Sequence, residues 1–264
     1  MIGIITLNWD TSFLLIRLIE SIKKLTYNPF YMIIIDNGSN LIDYQCLKEY
    51  IQNDEKFLLI RNDINCGFPK GNNQALNYLI KKDIDPIFFI NSDIEIKHDS
   101  WDKIFNEYFN DKEHIGILGA GLYPVFWDKD ANFNLIKNAN KYTECETIQG
   151  SFFAMRKYVI EYIIEKDGYL FDERFSPAYH EETEMMLRAR MYGFYSAWIP
   201  INHFHDSLHS ATKQHSYKID EEFKDFKGYN ELKERNRKLL LEIRKDFFEN
   251  FTKNDNIIYL NKFR

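Results

Sequence analysis

Residues Ile87–Asp93 read IFFINSD, an apolar run that stops abruptly at three polar residues. Such a short run, rich in isoleucine and phenylalanine, is typical of a strand buried on both faces of a largely parallel sheet. Sheets of this kind bind ligands at the carboxyl ends of their strands. Asp93 is therefore a candidate metal or phosphate-metal ligand, and the alternative is a turn carboxylate that bonds nearby backbone.

The same arrangement, an apolar run before polar residues, occurs twice nearer the amino terminus. Met32–Ile35 leads into Asp36, and Ile2–Leu7 leads into Asn8. Because the carboxyl ends of parallel strands meet at one edge of a sheet, the three runs predict a cluster of polar side chains there. Asp36 has one alternative interpretation, as a turn residue before Gly38.

A helix is expected between the first two of these strands, since Ser12–Leu25 carries apolar residues at helical spacing. We expect Ser12 or Asp10 to cap it. The order of strand, helix and strand predicts an α/β sheet with right-handed crossovers. The first strand is not followed by G-x-G-x-x-G, so a dinucleotide site is not expected.

The composition predicts a single soluble, cytoplasmic unit of enzyme size. Of the 264 residues, 45% are hydrophobic and 28% charged, which allows a substantial core and argues against disorder. The net charge of -6 argues against nucleic acid as a partner. The sequence shows no secretory signal and no apolar stretch long enough to span a bilayer. The three scattered cysteines are expected to be reduced thiols.

A glycine-rich loop follows another strand-like run, Lys56–Asn62. The loop Asn65–Asn73 reads NCGFPKGNN, and a helix is predicted from about Gln74 to Lys81. Two glycines and a proline let backbone come close to a ligand. Asn72 and Asn73 would lie at the helix start, where unpaired N–H groups favour anions. An ordinary glycine-rich loop with an asparagine cap is the alternative.

Taken in order, several short segments resemble motifs of the family 2 glycosyltransferases, which have the GT-A fold. Each segment is short, but their common order argues against coincidence, and the resemblance extends from Ile2 to Ser210. The matching segments are DNGS (36–39), NCGFPKGNN (65–73), NSD (91–93), QGSFFAMR (149–156), FDERF (171–175) and EETEMMLR (181–188).

The resemblance implies an α/β GT-A fold, with a mostly parallel central sheet flanked by helices and a C-terminal helical extension. Residues 1–215 would form the glycosyltransferase domain. Residues 216–264 carry apolar residues at helical intervals, including Phe223, Phe226 and Leu239, which predicts one or two amphipathic helices packed on that domain. Dimerisation or shallow membrane contact is an alternative role for the extension.

The same resemblance implies a binding site for a nucleoside diphosphate sugar. Asp36 would accept a hydrogen bond from the base, and the base pocket would be lined by Thr6, Leu7 and Asn8. The residues that would bind the rest of the donor are Asn65, Gly67, Gly71, Asn72, Asn91 and Ser92.

A divalent cation is also implied, because charge grows on the diphosphate as the glycosidic bond breaks, and a Lewis acid stabilises it. Asp93 would be its ligand, and Mn2+ or Mg2+ suits carboxylate and phosphate oxygens. Asn91 replaces the first acid of the family's D-x-D motif. His205, followed five residues later by Ser210 as is common in the family, would be a second metal ligand or a donor to the diphosphate. Glu95 is expected to have a structural role.

The acceptor half of the reaction needs a group that takes the proton of the attacking hydroxyl. Glu182 aligns with the aspartate of the family's E-D pair and would be the general base. Glu181 would orient a ligand or cap the next helix, and which of the two points into the site stays open. Gly150 and Ser151 would lie on the acceptor side.

The segment around these acids also has a purely structural interpretation. Acids suit the positive end of a helix dipole, and Glu181, Glu182 and Glu184 precede the apolar, arginine-bearing segment Met185–Met191. At helical spacing, Glu184 and Arg188 would form an i,i+4 ion pair on the surface. Tyr195–His205 predicts one further strand.

The sequence therefore predicts an inverting, metal-dependent glycosyltransferase that moves a sugar onto a surface glycan or lipid-linked saccharide, in the cytoplasm or at the inner membrane face. Its arrangement resembles bacterial rhamnosyltransferase-like members, which favours a dTDP- or UDP-linked donor. A non-catalytic sugar-nucleotide-binding protein is one alternative, since Asn91 and Glu182 depart from the family's acids. A nucleotidyltransferase is another, although the chain lacks the glycine-rich, lysine-containing loop expected after Leu7.

Overall fold

The computed structural model describes residues 1–127, 133–136, 139–209 and 229–248. The strands are β1 (Ile2–Asn8), β2 (Phe30–Asn37), β3 (Phe57–Asn62), β4 (Ile87–Ile90), β5 (Ile94–Ile96), β6 (Ile115–Gly119), β7 (Pro124–Trp127), β8 (Phe133–Leu135), β9 (Thr143–Cys145), β10 (Thr147–Ile148), β11 (Phe152–Met155), β12 (Tyr195–Trp198) and β13 (His203–His205). The helices are α1 (Ser12–Leu25), α2 (Leu41–Ile51), α3 (Phe68–Leu79), α4 (Trp101–Asp111), α5 (Lys157–Asp167), α6 (Glu181–Met191) and α7 (Tyr229–Ile243), with a 3-10 turn at Glu173–Phe175.

The central sheet has eight strands in the order β3-β2-β1-β4-β11-β6-β12-β9. The first four strands are parallel to one another, and β6 and β12 are parallel to each other. β11 runs antiparallel to β4 and β6, and β9 runs antiparallel to β12. Two small sheets, β10-β7-β8 and β13-β5, lie beside it. The predicted α/β architecture with a mostly parallel central sheet is confirmed.

Helices cover both faces of the central sheet, which explains why its strands are apolar without alternation. On one face, α1, α2 and α4 pack on side chains such as Ile4 and Phe88. On the other, α3, α5 and α6 pack on the next residue of each strand, Ile5 and Phe89. The two buried layers fix the register of the strands, and so bring their polar ends to one edge.

The predicted helix over Ser12–Leu25 is confirmed, but its cap is not the one expected. The residue before it, Thr11, makes no side-chain cap bond. Instead Asp43 of α2 accepts a hydrogen bond from the Ser12 amide at 2.9 Å. Asp10 is engaged elsewhere, because its carboxylate accepts two hydrogen bonds from Asn40. A residue distant in sequence thus replaces the local cap.

The glycine-rich loop is shorter than predicted, because α3 begins at Phe68 and not near residue 74. Gly67, at a φ of +85°, turns the chain into the helix, and Pro69 suits the first turn because that position needs no N–H bond. Asn72 and Asn73 therefore lie inside α3 and do not cap it. The Asn73 side chain instead bonds the backbone of Phe171, at 2.8 and 3.0 Å.

The single strand predicted over Tyr195–His205 is two strands in different sheets. β12 belongs to the central sheet and β13 pairs antiparallel with β5. Pro200 lies between them, and a proline cannot donate to a sheet ladder, so the strand ends before it. The break allows the chain to bring His205 opposite Ile94, next to Asp93.

The described part of the C-terminal extension packs against the rest of the chain. Leu240 and Phe247 form a buried cluster with Phe175 and Leu187, and Leu232 is also buried. The expected apolar residues at 223 and 226, and Ser210, lie outside the described residues. The division of the chain at residue 215 stays a prediction. No helix among the described residues is long and apolar enough to cross a bilayer.

Candidate active site

A cleft opens at the edge of the central sheet where β1, β2 and β4 end. Eight of the predicted donor-site and metal-site residues line it, so the polar strand ends do converge. The lining residues are Thr6, Leu7, Asn8, Trp9, Asn37, Asn65, Phe68, Asn72, Phe89, Ile90, Asn91, Ser92, Asp93, Pro177 and Ala178.

Asn8 connects the ends of the first two strands to α2. Its amide donates to Asp36 Oδ1 at 2.9 Å, to Ser39 Oγ at 3.1 Å and to Asp43 Oδ2 at 2.7 Å. Both Asn8 and Asp36 are fully buried. The network therefore holds the floor of the cleft in one arrangement.

Asp36 lies within β2 and is buried. This excludes the alternative that it is a turn residue before Gly38. Burial raises the pKa of its carboxyl, while hydrogen bonds from Ser39 and Asn8 oppose the rise. Its Oδ2 has an ion-pair contact with Arg61 at 3.8 Å but no hydrogen-bond partner among the described residues. Asp36 lies behind the lining residues of the cleft, bonded to Asn8.

Asp93 and His205 come together through the pairing of β5 with β13. His205 Nε2 lies 3.3 Å from Asp93 Oδ2, and both side chains are largely buried. The Asp206 amide donates to the Asp93 carbonyl at 2.8 Å, which holds the two chain segments together. No cluster of three or more possible metal-ligating residues occurs in the described part of the chain, so this pair stands alone there.

Several buried polar atoms near this edge have no hydrogen-bond partner among the residues that the structure describes. Buried polar groups are normally bonded, so a group of unbonded ones indicates a ligand site. Besides Asp36 Oδ2, these atoms are Thr6 Oγ1, Asp93 Oδ1 and His205 Nδ1.

Glu181 and Glu182 begin α6, as expected from their charge at the positive end of its dipole. Burial raises the pKa of both carboxyls, and the charge of Glu182 adds to the rise for Glu181. A side chain at Gly150 would come within 2.4 Å of Glu182 Cγ, so the absence of a Cβ there gives Glu182 its place. Neither glutamate lines the cleft described above.

The predicted acceptor-side segment is bonded directly to the end of β4. The Asn91 amide donates to the Ser151 carbonyl at 2.9 Å, and Ser151 Oγ donates to Gln149 at 3.0 Å. Gly150 and Ser151 therefore lie between the strand end that carries Asp93 and the start of α6.

The Glu184–Arg188 pair is buried, contrary to the expected surface pair. Arg188 donates to Glu184 at 2.9 and 3.0 Å and to Asp167 at 2.8 Å, and Glu184 is fully inaccessible. Arg244, which follows α7, also pairs with Glu184. Arg188 also donates to the carbonyls of Tyr169 and Leu170, so the pair is enclosed by the segment after α5 as well as by Arg244. Glu95 has the structural role expected of it, in an ion pair with Arg17.

Some cleft residues were not predicted from the sequence. Trp9 and Asn37 directly follow the predicted residues Asn8 and Asp36. Their positions at strand ends could therefore have identified them as cleft residues. No sequence signal identified Pro177 and Ala178, because their position in the cleft depends on contacts with α3 and α7. The Phe68 amide, for example, donates to the Pro177 carbonyl at 2.7 Å.

Residues 2–164, well over half of the chain, match glycosyl transferase family 2. The chain belongs to this family. An uncharacterised glycosyltransferase of Methanocaldococcus jannaschii is 29% identical over 120 residues, which are 45% of this chain and 39% of the relative. The family 2 chain described here thus matches well under half the length of that curated relative.

Solved glycosyltransferases share the fold of this family 2 chain at low sequence identity, each over 75% of it. GalNAc-T7 with UDP, GalNAc and Mn2+ has a TM-score of 0.61 at 15% identity, over 42% of its own chain. Staphylococcus aureus TarS with UDP has a TM-score of 0.55 at 17% identity, over 58% of its own chain. The Pyrobaculum calidifontis mannosyltransferase with GDP-Man and Mn2+ has a TM-score of 0.54 at 11% identity, over 54% of its own chain. The predicted GT-A fold is confirmed, and the rhamnosyltransferase-like subtype stays a prediction.

Proposed function

We propose that this protein is an inverting glycosyltransferase that takes its sugar from a nucleoside diphosphate donor. The observation that carries the proposal is the cleft at the sheet edge of a family 2 chain, which is lined by unbonded buried polar atoms and by Asp93, whose other carboxylate oxygen contacts His205. The complexes of its structural neighbours with UDP, UDP-GlcNAc and GDP-Man support this class of donor.

In this proposal the nucleotide lies along the ends of β1 and β2. Asp36 would bind the base from beneath Asn8, with Thr6 and Leu7 beside it. Thr6 suits the task, because its buried hydroxyl has no partner among the described residues. Gly71 suits the donor pocket too, since a Cβ there would lie only 3.1 Å from Leu7. Asn65 and Asn72 would face the ribose and diphosphate from the loop and from α3.

Asp93 and His205 would hold Mn2+ or Mg2+. They fit such an ion, because each has a buried atom, Oδ1 and Nδ1, without a partner in the described part of the chain. The donor phosphates and water would have to complete the shell, since Asn91 provides no carboxylate. When bound, the ion would stabilise the negative charge of the departing diphosphate.

Glu182 would take the proton of the acceptor hydroxyl. Burial raises its pKa, which makes it a stronger base than an exposed glutamate. Attack from the face opposite the diphosphate would invert the anomeric centre. The acceptor would be a hydroxyl of a surface glycan or lipid-linked saccharide, reached past Gly150 and Ser151.

The donor would be dTDP- or UDP-linked, and the enzyme would work in the cytoplasm or against the inner face of the membrane. Thermal shift against UDP, GDP, dTDP and CMP, each with and without Mn2+, tests the proposal. A ligand that binds only the folded state raises its melting temperature, by an amount equivalent to about 2.7 kcal/mol at a hundred times Kd. We expect a Mn2+-dependent shift with one diphosphate. The absence of a shift with every nucleotide would contradict the proposal.

A further inference from the structure

The segment that joins the 3-10 turn to α6 is held by a buried asparagine of α7. We call residues 174–179 the wall segment. Asn236 is fully buried, and its Nδ2 donates to the carbonyls of Phe175, Ala178 and Tyr179 at 2.7, 2.8 and 3.0 Å. All three partners are acceptors, so they face the NH2 end of the amide, whose two hydrogens are shared among the three carbonyls.

The other three carbonyls of the wall segment are bound by neighbouring helices as well. Arg235 donates to the carbonyl of Arg174 and, at 2.8 Å, to that of Ser176. The Phe68 amide, at the start of α3, donates to the Pro177 carbonyl at 2.7 Å. Every carbonyl of the wall segment thus accepts a hydrogen bond from α3 or α7, although most of the segment has no regular secondary structure of its own.

The wall segment connects two parts of the proposed active site. Pro177 and Ala178 line the cleft, and Glu182 follows a few residues later at the start of α6. Between them, Tyr179 and His180 have φ values of +82° and +70°. This left-handed conformation is unfavourable for residues with a Cβ, and it persists only where surrounding contacts impose it.

We propose that Asn236 is a positioning residue of the active site. By holding the carbonyls on both sides of the cleft-lining pair, it sets the cleft wall against α3 and imposes the left-handed turn that leads into Glu182. The inference deepens the proposed function and rests on it, because it supposes that the cleft binds the donor and that Glu182 acts beside it.

The test compares Asn236→Ala with two variants of the same helix. Leu232→Ala also removes buried contacts but leaves all donors to the wall segment, and Asn230→Ala changes an exposed asparagine. Two measurements are made: hydrogen exchange of the amides at 174–182, and the Kd of the nucleoside diphosphate, from a UDP, GDP and dTDP panel with Mn2+, that wild type binds.

Asn236→Ala is expected to speed exchange at residues 174–182 and to weaken nucleotide binding, each by about tenfold, since hydrogen bonds that order the segment are lost. Leu232→Ala should lower the melting temperature without either effect, and Asn230→Ala should behave as wild type. Arg235→Ala, which keeps the Asn236 bonds, should show smaller changes in the same direction. Asn236→Ser, which also removes the amide donor but keeps a small polar side chain, carries the test if Asn236→Ala does not fold.

Unchanged exchange in a folded Asn236→Ala variant, or in Asn236→Ser if only that variant folds, would overturn the inference. So would unchanged nucleotide affinity, or equal effects in Leu232→Ala. A wild-type protein that binds none of the three diphosphates would instead refute the proposed function. The exchange measurement separates the two failures, because it reports on the wall segment whether or not a nucleotide binds.

Discussion

Asp93 lies in the turn after β4 and Glu182 lies in the first turn of α6. They are proposed for different halves of the reaction, so their substitutions should have separable effects. Asp93→Ala should abolish the Mn2+-dependent stabilisation by nucleotide. Glu182→Gln should retain nucleotide affinity, while release of diphosphate from the donor falls by about 10²- to 10⁴-fold, the range of general-base catalysis. Calorimetry and a diphosphate-release assay measure the two quantities. Full activity in both variants would show that the site assignment is wrong.

Glu181 should make the stability of the protein depend on pH. Its pKa in the folded state is raised above the ordinary value of 4.5, first by burial and then by the charge of Glu182. Its contribution to stability is therefore complete below pH 4.5 and is lost as the pH rises through the folded-state pKa. Glu181→Gln should raise the melting temperature by a few degrees at pH 8 and not at pH 4.

The control for this pH dependence is Glu165→Gln, which neutralises an exposed acid on α5. It should leave the melting temperature close to that of wild type at both pH values. A lower melting temperature for Glu181→Gln at pH 8 would mean that the folded protein needs the ionised carboxylate. The carboxylate would then have a partner that offsets its burial.

Among the helices, α6 and α7 are joined by a buried ion network. Arg188→Ala would leave Glu184 with one cationic partner, Arg244, in a site without access to water. We expect a loss of about 3–5 kcal/mol in the free energy of unfolding, because removing one member of a buried pair leaves a charge undercompensated. Urea denaturation measures it.

The matched surface pair is Lys103 and Glu107 of α4, also at i,i+4 but 4.0 Å apart and largely exposed. Lys103→Ala should change the free energy of unfolding by less than about 0.5 kcal/mol. Equal effects of Lys103→Ala and Arg188→Ala would show that the network at α6 contributes no more than an exposed pair.

The elements differ in how well local pattern predicted them. α1 was predicted with both ends correct, since its apolar spacing covers four turns on one buried face. α3 begins six residues before the predicted start, because Gly67 and Pro69, taken for loop residues, form its entry. The strand over Tyr195–His205 divides at Pro200, because each half pairs with a different sheet. A local sequence pattern identifies the apolar face of a helix or strand. It does not identify the tertiary contacts that decide where the element begins and ends.

For the molecule as a whole, the position of α7 predicts that a chain ending at residue 215 is deficient. It would expose Phe175 and Leu187, and it would leave Glu184 without Arg244 and the wall segment without Asn236. We expect a melting temperature at least several degrees below that of the full chain, and aggregation through the uncovered apolar surface. Scanning calorimetry and light scattering test this. A stable, monomeric short chain would show that the extension is an independent unit.

The sequence by itself determined the family 2 membership, the order of strands and helices at the amino terminus, and the polar strand ends that line the cleft. The family follows from several short motifs in a common order. The strand order and the polar strand ends follow from local pattern, because a strand buried on both faces must be apolar until it reaches the sheet edge. Only the tertiary structure decided that β13 pairs with β5, that Glu184 is buried, and that α7 holds the wall segment. Those contacts join residues far apart in the chain, and no periodicity of either partner records the distance between them.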